Sequence, residues 1–188
     1  MTGTVAYLAQ TVEIINAIDV SSINKVIAIL KNLQIQNNGR LFILGVGGSA
    51  SNASHAVNDF RKIANIETYA PTDNVAELTA RTNDNGWESV FVDWLKVSKL
   101  GNNDVIMILS VGGGSLENNI SVNLVKAIDH AKIVNTKIIG IVGKNDGYTY
   151  KMSNVCILIP TSNLKNITPH TEGFQSMILH LIVSQLKL

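Results

Sequence analysis

The sequence predicts a three-layer α/β fold: a five-stranded, mainly parallel sheet with helices on both faces, preceded by two helices. Three observations carry this. Short apolar runs alternate with helical patterns from residue 41 onward. Several runs, such as Val105-Ile106-Met107-Ile108-Leu109, are continuously apolar, as expected of strands covered on both faces. Two of them leave through glycine turns that open helices, Gly45-Val46-Gly47-Gly48-Ser49 and Ser110-Val111-Gly112-Gly113-Gly114-Ser115.

In chain order, Val5, Leu8, Val12, Ile15 and Ile18 recur at helical spacing and predict a first helix over residues 4–18. A second begins near Ser22 as N-cap, with Ile23, Val26, Ile27, Leu30 and Leu33 on its apolar side, and stops at Asn37-Asn38-Gly39. These lead-in helices (residues 1–38) need a surface to pack on, either a neighbouring subunit or the chain's own sheet. Strands are expected at Leu41–Leu44, Glu67–Tyr69, Val105–Leu109, Lys137–Val142 and Val155–Ile159. Helices are expected at Ser49–Ile63, Val75–Arg81, Trp87–Val97, Val122–Val134 and Pro169–Gln185. No linker or low-complexity segment interrupts residues 1–188, which read as one domain.

Composition removes several function classes. With 46% hydrophobic residues the chain can bury a full core, and a formal charge of +1 gives no field for gripping nucleic acid. Aromatic residues at 5% argue against a base-stacking surface. Cys156, the only cysteine, lies in an apolar strand pattern and reads as inert packing. There is no secretory pattern at the N-terminus and no apolar run of membrane-spanning length, so a cytoplasmic protein without membrane contact is expected.

The chain is organised around Gly45 to Asp59. Strand, glycine turn and helix start aim backbone N–H groups at an anion, and Ser49 and Ser51 can add hydroxyls there. His55 and Asp59, four residues apart, share one helical face behind that mouth. The second glycine loop leaves another strand, so both loops can border one crevice at the sheet's carboxyl edge. In the last helix Glu172, Ser176 and His180 recur every four residues. Together these suggest chemistry on a phosphorylated small molecule.

Each motif also has a plainer reading. The loops can be tight turns without a ligand, and His55 with Asp59 an ordinary pair. Asn83-Asp84-Asn85-Gly86 can be only a turn. With Thr168 as N-cap and Pro169 first in the helix, Glu172 can be a first-turn acid; His180 can be a core histidine. Gly45-x-Gly47-x-x-Ala50, with Glu67 roughly 20 residues on, also fits the relaxed dinucleotide fingerprint. That reading leaves His55, Asp59 and the second loop without roles, and we expect no nucleotide cofactor.

Gly45-x-Gly47-Gly48-Ser49, Ala53-x-His55, Asp59, Asn83-Asp84-x-Gly86, the Ser110 loop, Asn123-x-x-Lys126-Ala127-Ile128 and an acid eight residues before His180 resemble the phosphoheptose isomerases of the sugar-isomerase (SIS) domain superfamily. The resemblance covers almost the whole chain and implies a flavodoxin-like SIS domain. It implies interconversion of sedoheptulose 7-phosphate and D-glycero-D-manno-heptose 7-phosphate, in heptose precursor synthesis for surface polysaccharides. It further implies a homotetramer with active sites where subunits meet. By the same resemblance the backbone of Val46, Gly47 and Gly48 touches substrate, with Ser49 counted beside them for its hydroxyl at the mouth, and Asn83 and Asp84 face the sugar. Ser110, Val111, Gly112 and Ser115 hold phosphate, with Ser121 competing for the role of Ser115. Zinc, one ion per subunit, falls to His55, Asp59, Glu172 and His180.

This chain departs from the family pattern in four places. Val46 stands for the usual asparagine, Asp59 for glutamate and Glu172 for glutamine, and extra residues separate Gly114 from Asn123. An aldose–ketose isomerase needs a base near the carbon acid and groups to handle the oxygen protons. The expected pair is Asp59 and His180, with Glu172 as a substitute base. The alternative is a non-catalytic SIS module that binds a sugar phosphate or regulates a partner. One tension is visible beforehand: in a regular helix Glu172 and His180 are about 12 Å apart along the axis, a long span for a shared metal.

Overall fold

The computed structural model describes residues 2–187. Its elements run α1 (Gly3–Ala17), α2 (Val20–Gln36), β1 (Leu41–Gly45), α3 (Gly48–Lys62), β2 (Thr68–Tyr69), α4 (Val75–Asn85), α5 (Val90–Val97), β3 (Val105–Ser110), α6 (Val122–Ile133), β4 (Lys137–Val142), α7 (Tyr148–Met152), β5 (Val155–Leu158) and α8 (Ile167–Leu186). Short 3-10 turns lie at Pro71–Asp73, Trp87–Ser89 and Leu164–Asn166. The strands form one sheet in the order β2-β1-β3-β4-β5. All four pairings are parallel, with Leu41 opposite Val105 and Val105 opposite Lys137. The chain leaves β1 for the edge at β2 and returns to its other side at β3. The carboxyl ends of β1 and β3 are therefore the topological switch point, where open α/β sheets take their ligands.

Strand alternation divides the core in two. Leu41, Ile43, Val105, Met107, Leu109, Ile139 and Ile141 face one side, under α2, α3 and α8 with Val26, Leu30, Phe60, Ile178 and Ile182. Phe42, Leu44, Ile106, Ile108 and Ile138 face the other, under α5 and α6 with Phe91, Leu95, Leu124 and Ile128. Continuously apolar strands follow directly, because either orientation of a side chain meets a helix.

Several boundaries differ from expectation. Asp19, not Ser22, caps α2: its carboxylate accepts the Ser21 and Ser22 N–H groups, and the Ser22 hydroxyl joins it at 2.6 Å. The last helix starts at Ile167 after Asn166, two residues before Pro169, whose missing N–H costs nothing in a first turn that has no acceptor for it. Asn83-Asp84 is no turn but the end of α4, which stops where Gly86 takes φ 84°. The α7 turn of helix was not anticipated.

Below the sheet, at the amino ends of β1 and β3, Asp104 closes a buried network. Its oxygens accept the Arg40 N–H, Arg40 Nε and Nη2, and the Gly101 N–H at 2.8–3.1 Å. Asp104→Ala strands these donors and is expected to destabilise the fold by about 2–4 kcal/mol, read from urea unfolding. The site at the opposite sheet edge keeps its chemistry in whatever fraction remains folded.

Two helices are poorly covered. In α1 only Ile14 is buried, while Val5, Leu8, Val12 and Ile15 are each more than half exposed. No residue of α4 is buried.

Candidate active site

α3 begins at the mouth of β1. Gly48, Asn52, His55 and Asp59 fall on one stripe of it, whereas Ser49 is turned about 100° away. α8 lies alongside and runs parallel to α3, with Glu172 beside Gly48 and His180 beside Asp59. The structure thus brings His55, Asp59 and His180 together, from elements far apart in the chain. His55 Nε2 and His180 Nδ1 each lie 3.3 Å from Asp59 Oδ2. The two rings meet edge to face with centroids 5.0 Å apart. Asn58 Nδ2 donates to the other Asp59 oxygen at 3.0 Å. Asp59 is buried, yet the side chains of His55 and His180 are 58% and 56% exposed, so the cluster opens outward.

His55 Nε2, Asp59 Oδ2 and His180 Nδ1 can converge on one metal, their ligand atoms lying within 4.8 Å of one another. Two imidazoles, a carboxylate and an open outer side are the donor set of a catalytic zinc site. Glu172 does not join them. α8 is regular through both residues, and Glu172 sits two turns back, its carboxylate against Gly48 at the start of α3. A four-ligand site that includes Glu172 is therefore not formed within one chain. A Cβ on Gly48 would fall on that carboxylate and push it aside.

Ser49 is a second correction. It is 1% exposed, and its hydroxyl donates to Gln175 Oε1 at 2.9 Å, so it faces the core rather than a ligand. Gln175 is itself fully buried and was missed as a site residue. A carboxamide on the buried side of an apolar helix was the signal for it. Val46, by contrast, is exposed at the mouth, next to Gly47, whose φ is 64°.

The second loop leaves β3, the strand beside β1, so the two mouths are neighbours at the switch point. Ser110 Oγ accepts the Gly113 N–H at 3.0 Å, and the Val111 carbonyl accepts from Gly143. The carbonyls of Gly113 and Gly114 are held by Thr149 and Tyr148 at 2.7–2.8 Å. Gly147 carries no side chain because a Cβ there would strike the Gly112 carbonyl. The turn after β4 thus braces Val111 and Gly112.

The extra residues close on themselves. Ser115 and Ile120 exchange two backbone hydrogen bonds of 2.8 and 2.9 Å, and Ser115 Oγ accepts from the Asn118 N–H and Nδ2. The oxygen of Ser115 thus braces its own turn as an acceptor, and its O–H remains to be donated. Ser121 stands at the N-cap of α6 with φ 46° and makes no side-chain capping bond. Asn83 Nδ2 bonds Asp84 Oδ1 at 2.8 Å, both exposed at the end of α4, and no hydrogen bond ties either to the two clusters among the described residues.

Two other features fall outside this site. A cavity of about 700 Å³ lies between α1 and the ends of β4 and β5, lined by Glu13, Lys144 and Ser162. It contains none of the expected site residues. Burial pushes the Cys156 thiol up to about 12, so it is no nucleophile.

A parallel sheet with paired glycine loops at its switch point, backed by a His–Asp–His cluster, defines a ligand-binding α/β domain equipped for proton or metal chemistry. The chain belongs to the SIS domain family, whose model matches residues 5–143, and within it to the phosphoheptose isomerase family. It is 30% identical over 156 residues to the phosphoheptose isomerase of Nitratiruptor sp., covering 80% of this chain and 77% of that protein. The Helicobacter pylori (strain ATCC 700392 / 26695) phosphoheptose isomerase is 28% identical over 154 residues, covering 79% and 74%. Among solved structures, phosphoheptose isomerase from Neisseria gonorrhoeae superposes with a TM-score of 0.83 over 97% of this chain and 96% of that one, at 20% identity.

Proposed function

We propose that the chain is a phosphosugar aldose–ketose isomerase that interconverts sedoheptulose 7-phosphate and D-glycero-D-manno-heptose 7-phosphate. The observation that carries this is the convergence of His55, Asp59 and His180 between α3 and α8, with the unengaged Glu172 carboxylate two turns away over the glycine mouth. A module that only binds has no use for that set.

The reaction carries a proton between adjacent carbons through an enediol. Glu172 makes no hydrogen bond or ion pair through its carboxylate among the described residues, and it lies over the glycine mouth. It is the base placed to move the carbon proton. Asp59 and His180, which share a 3.3 Å contact but lie about 12 Å along α8 from Glu172, handle the oxygen protons of the same sugar where a neighbouring subunit supplies them. His55, Asp59 and His180 would hold zinc, which would supply Lewis-acid polarisation of the sugar carbonyl in place of proton exchange between Asp59 and His180, because it would occupy the same Oδ2 and Nδ1 atoms. The phosphate is assigned to the backbone of Val111 and Gly112, the Ser110 corner and the Ser121 hydroxyl at the start of α6. Asn83 and Asp84 are assigned to the sugar.

Residues 2–187 act as one domain in this reading, and the exposed apolar stripe of α1 together with the uncovered α4 packs against other subunits. The open faces of His55 and His180 are then closed by a neighbour, in a homotetramer with sites at its interfaces. Among the described residues no helix is long and apolar enough to cross a membrane; the proposed sugar-phosphate substrate supports a cytoplasmic location.

The test combines three measurements on purified protein: sedimentation, metal analysis, and NMR of sedoheptulose 7-phosphate in D2O. A tetramer, about one zinc per subunit and deuterium incorporation at the carbon next to the carbonyl are expected. Binding of the sugar without exchange would establish the binding module instead.

A further inference from the structure

We propose that Gln175 is a positioning residue for this reaction: its buried carboxamide sets the axial register of α8 against α3, and so determines whether His180 reaches Asp59. The inference rests on the isomerase reading for its kinetic consequence and on geometry alone for the rest.

Gln175 lies on α8 between Glu172 and His180, turned toward the sheet. Its Oε1 accepts from Ser49 Oγ at 2.9 Å and from Asn52 Nδ2 at 3.3 Å, both on α3. Its Nε2 donates to the Ile141 carbonyl of β4 at 3.2 Å. Asn52 Nδ2 also donates to the Glu172 carbonyl at 2.8 Å. One side chain therefore ties α3, α8 and β4 at the midpoint of the interface whose two ends carry the reacting groups.

Apolar packing does not supply this register. The other buried residues of α8, including Phe174, Ile178, Leu179, Ile182 and Val183, are non-directional and tolerate sliding or rotation with little loss of buried area. Hydrogen bonds impose distance and angle, and inside a core an unpaired partner is costly, so the arrangement that satisfies all of them is singled out. The groups so aligned have little tolerance, because a displacement near 1 Å can cost about 100-fold in rate.

The test uses Gln175→Leu, which fills the same space without hydrogen bonds, and Asn52→Ala, at a partly buried position, which removes two of the ties. For each, thermal unfolding, kcat and KM for sedoheptulose 7-phosphate are measured. The NOE between the His55 and His180 rings is measured in histidine-labelled protein. Gln175→Leu is expected to lose the ring-to-ring NOE and about 100-fold in kcat, with KM nearly unchanged. Asn52→Ala should shift both the same way by about tenfold in kcat, and it decides the matter if Gln175→Leu does not fold. A variant that unfolds more easily but keeps the NOE and the wild-type kcat per folded molecule would reduce Gln175 to a structural residue and overturn the proposal. If the wild-type protein turns over no sugar, the isomerase reading fails, and the NOE still decides the register.

Discussion

Asp59→Ala is expected to lower kcat for the isomerisation by at least about 1,000-fold, with the fold and assembly intact. Both imidazoles of the site are directed at one oxygen of this carboxylate, at 3.3 Å each. Removing it disconnects His180 from its proton partner and deletes the only acidic member of the three-residue metal set. His180→Ala removes the same two contributions, whereas His55→Ala removes a metal ligand alone. The metal readout is independent of turnover. Loss of a mere supporting group around a metal costs about 10- to 100-fold in affinity, so loss of this ligand should weaken Co2+ binding by at least that much. Stability should scarcely change. Alanine is the better helix former, and the imidazoles, more than half exposed, keep water when the carboxylate goes. Near-normal turnover in Asp59→Ala would remove the cluster from the mechanism.

The fold was legible because its signals are local and repeated. Continuously apolar runs such as Val105–Leu109 can only be strands covered on both faces, and two glycine loops leaving such runs imply one ligand edge. The His55–Asp59 pair was legible for the same reason, since spacing of four on a helix fixes a shared face. What could not be read depends on the rotation of one helix against another. Ser49 follows Gly48 by one residue, and that step of about 100° separates a group at the mouth from one in the core. Gln175 gains its role only from Ser49 and Asn52, more than 120 residues earlier in the chain. The Ser115–Ile120 closure depends on two backbone bonds that the turn sequence codes only weakly, so the path of the extra residues could not be read.

Glu172→Gln separates the two roles that the resemblance joined in one residue. The family pattern makes this position a metal ligand, whereas the geometry puts its carboxylate against Gly48, about 12 Å along α8 from His180. If Glu172 moves the carbon proton, the amide, which has no basicity to offer, should cost about 100- to 10,000-fold in kcat while leaving KM close to normal. Co2+ affinity should stay within about twofold of wild type, because His55, Asp59 and His180 are untouched; a true ligand would cost at least the 10- to 100-fold seen for supporting groups. The shape of the site is preserved, since glutamine occupies the same space over Gly48. Gly48→Ala provides the steric counterpart: its methyl group would displace the Glu172 carboxylate and should reproduce the kinetic loss without altering any titratable group. A Glu172→Gln enzyme that keeps its kcat but loses its metal would return Glu172 to the metal set, supplied across a subunit boundary, and would leave Asp59 and His180 to carry the proton by themselves.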